Sequence, residues 1–283
     1  MVRNEGDRLL RVVVCAPRSE YFRVENPELH NIGEAADPAK AAAQHRKLRA
    51  VLRHSRARVV NLRELAGHPN SVFARDSGLV TPDGYIRLRM GLRTRRGEED
   101  WMASALHSLG VPCAGKIEKP GTVEGGDVIL AGEVAFVGLS ERTNRSGVRQ
   151  LSRLLMGMGL EVRTLSLPLP HLHIGGAMSA IGPRTVVCCR RIFPHGFFDG
   201  FEVVEIPCPE DSSANVIALG NGGVIVEKGC PGTAQALQKA GFTVHRVDLS
   251  EFVKGRGGPT CLIMPVDRWE PGEKRSQLKP TSK

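Results

Sequence analysis

The apolar residues of this chain fall into short runs broken by glycine- and proline-containing turns, and the runs come in pairs. VFARDSGLVTPDGYIRLR, from Val72, places two runs either side of Pro82-Asp83-Gly84. EGGDVILAGEVAFVGLS, from Glu124, does the same near Gly132; GGAMSAIGPRTVVCC, from Gly175, turns at Gly182-Pro183; ANVIALGNGGVIVEK, from Ala214, turns at Gly220-Asn221-Gly222. Strand-like runs flanking such turns predict hairpins. After most of the hairpins the period changes. Arg96–Leu109, Ser146–Met158 and GTAQALQKAG from Gly232 are spaced as amphipathic helices, and each leads into another short strand, at Val111, Glu161–Leu165 and Phe242–Val247. After the third hairpin only RRIFPHGFFDG precedes FEVVEI, which predicts a short helix or none.

A fifth unit is split across the ends. PTCLIMPV near the C-terminus can pair with LLRVVVCAP near the start. Asp37-Pro38, an N-cap followed by proline at the first helical position, opens a helix to about His54, and RVVNL supplies its strand. With Asp76, Asp127, Gly176, Asn215 and Cys261 taken as equivalent hairpin starts, the spacings are 51, 49, 39 and 46 residues. One supersecondary unit is used repeatedly. Five ββαβ repeats closed by pairing the two terminal strands predict an α/β class fold, a five-bladed α/β propeller, which leaves no exposed strand edges at the closure. Radial repeats bring equivalent positions together around one axis, so the hairpin starts should converge. A doubly wound sheet is the competing architecture, but hairpins recurring before the helices argue against it. The glycine clusters lie in hairpins and their entries, without the strand-GxGxxG-helix order of a dinucleotide site.

Composition narrows the class. Over 283 residues, 41% are apolar and 24% charged, which is the balance of a folded globular chain. No apolar run reaches the ~18 residues of a membrane-spanning helix, and MVRNEGDRLLRVVVCAP carries no secretory cleavage pattern. Seven cysteines without a CxxC pair read as a reduced, cytoplasmic chain, neither a disulfide scaffold nor a zinc ribbon. The net charge of +9 includes a tail from Arg268 with five basic and two acidic residues. Residues 1–267 are therefore expected to form a single catalytic domain and 268–283 a flexible basic tail. With only two Trp and two Tyr to interleave with the basic residues, nucleic-acid binding is not expected.

The hairpin starts deliver Asp76, then Glu124 with Asp127, then His171 and His173, and finally Cys261. Each alone has a bland explanation: a turn-forming aspartate, a core histidine, a small buried thiol. Together at equivalent positions they form a nucleophile, a proton carrier and a set of acids. Carboxylates around a thiolate would repel an anionic substrate and raise the thiol pKa. A guanidinium reverses that penalty, because its planar donors pair bidentately with carboxylates. Cys261 follows the glycine-rich GRGGP, which permits a ligand close to the backbone. No metal-ligand spacing is visible, and no cofactor is required when thiolate and imidazole supply nucleophile and proton traffic.

From about Leu10 to Arg268 the sequence resembles the guanidino-group-modifying enzymes, namely arginine deiminases, dimethylarginine dimethylaminohydrolases and amidinotransferases. The resemblance rests on FARD ending at Asp76, EGGDV with Glu124 and Asp127, GLSERTN with Arg142, LHIGGAMS with His173 and GRGGPTC ending at Cys261. It implies the five-bladed propeller, a covalent thiouronium-type intermediate on Cys261, and His173 as general acid and then base, with Glu124 beside it. His173 is preferred to His171 because its distance from Ser179 matches the family pattern. Asp76 and Asp127 would clamp the guanidinium; Arg95, Arg142 and Arg256 match positions that bind a substrate α-carboxylate. Length and GLSERTN resemble the dimethylarginine hydrolases, whereas Asn70, Arg75 and Arg256 look more like arginine deiminase. Gly175 stands where arginine deiminases have Asp, which removes one guanidinium contact and leaves room for N-alkyl groups. The implied reaction is hydrolysis of arginine or an Nω-methylated arginine to citrulline and ammonia or an amine, with a small guanidine amino acid as partner and a homodimer as the assembly expected. An amidinotransferase shares the covalent half-reaction. From another class, a non-catalytic ribosome-binding propeller would suit the charge but gives no reason to retain Cys261, His173 and Glu124 together.

Overall fold

A computed structural model describes residues 1–207 and 213–269. Its fifteen strands are β1 (Arg8–Cys15), β2 (Arg58–Leu62), β3 (Leu79–Thr81), β4 (Gly84–Arg87), β5 (Cys113–Lys116), β6 (Val128–Ala131), β7 (Val134–Leu139), β8 (Glu161–Ser166), β9 (Met178–Gly182), β10 (Thr185–Cys188), β11 (Glu202–Glu205), β12 (Ile217–Gly220), β13 (Gly223–Glu227), β14 (Thr243–Val247) and β15 (Ile263–Trp269). They form five three-stranded sheets, ordered β15-β1-β2, β3-β4-β5, β6-β7-β8, β9-β10-β11 and β12-β13-β14. In every sheet the first two strands are antiparallel and the third joins the second in parallel. This is a five-bladed α/β propeller, closed by the N- and C-terminal strands.

Burial grades across each blade. The first strands β3 and β6 are buried throughout, and β9 and β12 nearly so. The third strands β2, β5, β8, β11 and β14 consist of exposed and half-buried positions, apart from buried Val247 at the end of β14. The inner strands therefore surround the hub and the outer ones face the helical layer, which explains why the inner runs read as continuous apolar sequence. Parallel third strands require a crossover. Helices Pro38–His54, Glu98–Ser108, Arg145–Gly157 and Pro231–Lys239 supply four of them, whereas the third hairpin is followed only by the short turn Arg190–Ile192. The first of these helices is capped by the Asp37 carboxylate, which accepts from Lys40 N, with Pro38 leading.

Four expectations are corrected. The strand expected at Val111 begins at Cys113, because Val111 N–H returns to Leu106 and Pro112 has no N–H to give a ladder. FARD is Phe73 followed by the 3-10 turn Ala74–Ser77, preceded by another at Pro69–Val72, and is not part of a strand. Arg268, assigned to the tail, is buried in β15 and donates to the carbonyls of Asp7 at 2.6 Å and Ala218 at 2.8 Å. The remainder of the expected tail, 270–283, lies outside the described residues. Among the described cysteines, Cys15, Cys113, Cys188 and Cys261 are free thiols, but Cys189 is disulfide-bonded. Thiol spacing in sequence does not reveal which pairs meet the close Cα separation a disulfide needs. Among the described residues no helix is long and apolar enough to cross a membrane.

Candidate active site

Each inner strand is entered through a short turn, and these turns meet at one end of the hub. The turns at Ala74–Ser77, Gly125–Asp127, Ile174–Ala177 and Thr260–Leu262 lead into β3, β6, β9 and β15 respectively. Close approach explains the glycines there. A Cβ on Gly125 would lie 2.2 Å from the Arg75 carbonyl oxygen, and one on Gly126 would lie 2.6 Å from Asp76 Oδ1 and 2.8 Å from His173 Nδ1. Gly257 and Gly258, before Cys261, pack equally tightly against Phe73 and Asn215.

These turns bring Asp76, Glu124, His173 and Cys261 around one cavity of about 350 Å³, with Asn70, Arg95, Arg142 and Arg256 also in its walls. His173 Nε2 lies 3.0 Å from Glu124 Oε2, and Nδ1 lies 3.7 Å from Asp76 Oδ1. The second Glu124 oxygen accepts from Gly91 N at 3.1 Å and Leu92 N at 3.0 Å, so the carboxylate that orients the imidazole is itself held. Asp127 accepts from Ser140 Oγ at 2.6 Å and Ile174 N at 3.2 Å; it fixes the turn that carries His173 and is not among the residues that line the cavity. Cys261 receives Asn215 Nδ2 at 3.6 Å, and the other end of that amide accepts from Thr260 N at 2.7 Å. Asn70 donates to His30 O at 3.0 Å.

Electrostatics follow from burial among mixed charges. Burial works against the charge on His173, but Asp76, Asp127 and Glu124 hold the imidazolium up to about 9. Burial likewise opposes ionisation of Glu124, and His173, Arg95 and Arg142 pull it down to about 2. Burial and then Asp76 push the Cys261 thiol up to about 11, against Asn215 and Arg75. Burial pushes Asp127 up to about 6. In the absence of a cation the site therefore keeps its thiol protonated and its imidazole charged. Asp76 Oδ1 is buried without a hydrogen-bond partner, a costly state that a donor-rich cation would relieve. Asp76, Glu124 and His173 each offer an atom within 4.8 Å of the others and could ligate a metal ion; the same acids suit a guanidinium.

The three arginines differ. Arg142 and Arg256 stand in the cavity wall without an ion pair among the described residues, Arg256 donating to Asn31 Oδ1 at 3.1 Å from a left-handed backbone (φ 60°). Arg95 departs from the role implied by resemblance. Its Nη1 meets Asp76 Oδ2 at 2.5 Å, Nε and Nη2 meet Glu98 Oε2 at 2.9 and 2.7 Å, and Nη2 also reaches Phe73 O at 3.0 Å. All three nitrogens are engaged, so Arg95 positions Asp76. His171 lines an adjoining, wider chamber of about 1,600 Å³, whose walls include His173 and Cys261 and which Gly175 borders.

A family model described as eukaryotic N,N-dimethylarginine dimethylhydrolase matches residues 28–268. The chain belongs to the dimethylarginine dimethylaminohydrolase family. The Pseudomonas aeruginosa protein named N(G),N(G)-dimethylarginine dimethylaminohydrolase is 31% identical over 228 residues, covering 81% of this chain and 89% of that one. An uncharacterised protein of Aeropyrum pernix is 31% identical over 268 residues, covering 92% and 97%. A solved dimethylarginine dimethylaminohydrolase, in an adduct with S-methyl-L-thiocitrulline, superposes with a TM-score of 0.81 at 28% identity, covering 90% of this chain and 99% of that one. The chain is a guanidino-group hydrolase, acting on carbon–nitrogen bonds of linear amidines, and not a binding-only propeller.

For this dimethylarginine dimethylaminohydrolase-family member, sequence reasoning missed Asn215 as a donor to sulfur, Ser140 under Asp127, and Glu98. Glu98 is fully buried beneath Arg95. Its signal was weak, because Glu98, Glu99 and Asp100 look alike as first-turn acids that favour a helix N-terminus. Arg75, read only as a family mark, is buried and ties Glu5 to the Val128 carbonyl, each at 2.6 Å. Gly126→Ala should lower kcat/KM by roughly 10²-fold, the cost of a displacement near 1 Å at reacting groups, while Tm moves by only a few degrees. The atoms in the way are Asp76 Oδ1 and the Nδ1 and Cγ of the His173 ring. Wild-type kcat/KM in that variant would show that both side chains can retreat without consequence.

Proposed function

We propose that this chain is a dimethylarginine dimethylaminohydrolase-type cysteine hydrolase, converting Nω-methylated arginine or arginine to citrulline plus an amine or ammonia. The observation that carries the reading is the buried Asp76 Oδ1, without a hydrogen-bond partner and 3.7 Å from His173 Nδ1, on a residue that lines the same cavity as Cys261. A guanidinium there would satisfy that oxygen and add positive charge beside the thiol, whose raised pKa then falls. As the thiol pKa falls its proton passes to solvent, and the Cys261 thiolate bonds to the guanidinium carbon; the carbon–nitrogen bond to the departing nitrogen breaks as His173 gives it a proton. Water then loses a proton to His173 and attacks the same carbon, the carbon–sulfur bond breaks, and citrulline leaves. Gly175, which brings no acidic side chain of its own to the wide chamber it borders, supports a nitrogen that carries alkyl groups.

The test is citrulline formation from dimethylarginine, monomethylarginine, arginine and agmatine without an added acceptor amine. Steady citrulline is expected. Turnover that appears only when an acceptor amine is supplied would instead make this an amidinotransferase.

The amino-acid end of the substrate is assigned to Arg142 and Arg256. Arg256→Ala should raise KM for arginine-type substrates roughly 10- to 100-fold, the range of one charge-assisted hydrogen bond, while sparing guanidines without a carboxylate. Steady-state kinetics on arginine derivatives beside agmatine would check this. An equal loss on both would reassign Arg256 to holding Asn31 and the loop geometry.

A further inference from the structure

A second cleft of about 500 Å³ lies between helix Pro38–His54 and the ends of β1 and β2, and it shares no lining residue with the cavities around Cys261. Arg18, His45, Arg46, Arg49 and Asn61 line it, with Pro17 and Ala42 as its apolar wall. The catalytic chemistry uses none of them. Their charges are uncompensated: among the described residues Arg18, Arg46 and Arg49 take part in no salt bridge. Glu64, near in sequence to Asn61, is taken by the backbone N–H groups of Arg18, Glu20 and Tyr21 and does not line the cleft.

The burial pattern is what separates this cleft from an ordinary basic surface. His45 is only 1% exposed, and neither of its ring nitrogens has a hydrogen-bond partner. Arg49 Nε is likewise buried without a partner. Burial, then repulsion from Arg53 and Arg46, lowers the Arg49 pKa, which reports like charges gathered without an acid. Buried donors with nothing to donate to are expensive, and a basic group without a counter-charge more so.

We propose that this cleft binds the phosphoryl group of a small phosphorylated molecule. A phosphate monoester carries close to two negative charges and three strong acceptor oxygens, which matches several guanidinium forks better than a single carboxylate does. The volume exceeds that of phosphate alone, and the Pro17–Ala42 wall gives the ester's organic part a surface to lie on. Asn61 supplies a neutral donor and acceptor at the rim.

The test is calorimetric titration of the full chain with inorganic phosphate and with glucose 6-phosphate, against potassium chloride at matched ionic strength. Saturable one-site binding of both is expected, tighter for the ester. Arg49→Gln and Arg46→Gln should each weaken it about tenfold or more, and Arg153→Gln, an exposed arginine on another helix, should not. Arg46 is exposed, so that variant keeps the test alive if loss of Arg49 impairs folding. Guanidine hydrolysis should be unchanged in all three variants. Phosphate binding with the ester excluded would support the phosphoryl chemistry and assign its source to free phosphate. No saturable heat, equal weakening by Arg153→Gln, or binding only of a single-stranded RNA oligonucleotide would overturn the proposal.

Discussion

Cys261→Ser is expected to bind dimethylarginine as the wild type does and to turn it over at least ~10³-fold more slowly, the scale for removing a covalent nucleophile. The reason lies in what the sulfur is asked to do. Its pocket keeps the thiol protonated, at about 11, until a cation arrives, and a serine hydroxyl is a far weaker acid that the same cation cannot ionise. The change is small in volume, Asn215 can still donate to the oxygen, and the guanidinium clamp at Asp76 is untouched. Equilibrium binding and single-turnover rates measured on one preparation separate the two effects. In the wild type, mass spectrometry of a quenched reaction should find the adduct on Cys261. Wild-type turnover by the serine variant would require another nucleophile.

His173→Gln should slow amine release by ~10²- to 10⁴-fold, the usual worth of a positioned acid–base group. Because His173 is held up to about 9, it is charged at neutral pH and already carries the proton that the departing amine needs. The sign of the pH effect follows: kcat/KM for an amine-releasing substrate, which reports the free enzyme, falls as pH rises through about 9 and the imidazolium is lost, and the glutamine variant lacks that limb. A substrate whose leaving group needs no proton tests the role more sharply. With an S-alkyl isothiourea, Cys261 sulfur bonds to the central carbon and the carbon–sulfur bond to the alkylthiolate breaks without help. Water still lacks a base, so the variant should accumulate the adduct on Cys261. Rapid turnover of that substrate by the variant would take both proton-transfer roles away from His173.

Much of the fold is legible along the chain because its signals are local. The hairpin turns, the Asp37-Pro38 helix start and the missing third helix each depend on a few neighbouring residues, and the structure shows them where the pattern places them. The near-regular spacing of the hairpin starts carries the five-fold repeat, and the repeat carries convergence. That is how Asp76, Glu124, His173 and Cys261, spread over the chain, could be read as one group.

What the spacing could not convey is which atom meets which. Arg95 and Arg142 are alike in sequence, yet one is engaged by Asp76 and Glu98 while the other, among the described residues, stands at the cavity wall without an ion pair. Arg268 resembles the basic residues that follow it, but it ends in the hub between two backbone carbonyls. Cys189 forms a disulfide beside Cys188, which does not. Residue type and period thus determined the blades, their order and the chemical kinds gathered at the hub. Closure of the ring decided the partners, because a buried charge or donor is settled by whichever group lies within hydrogen-bond reach once water is gone, and that neighbour comes from another blade.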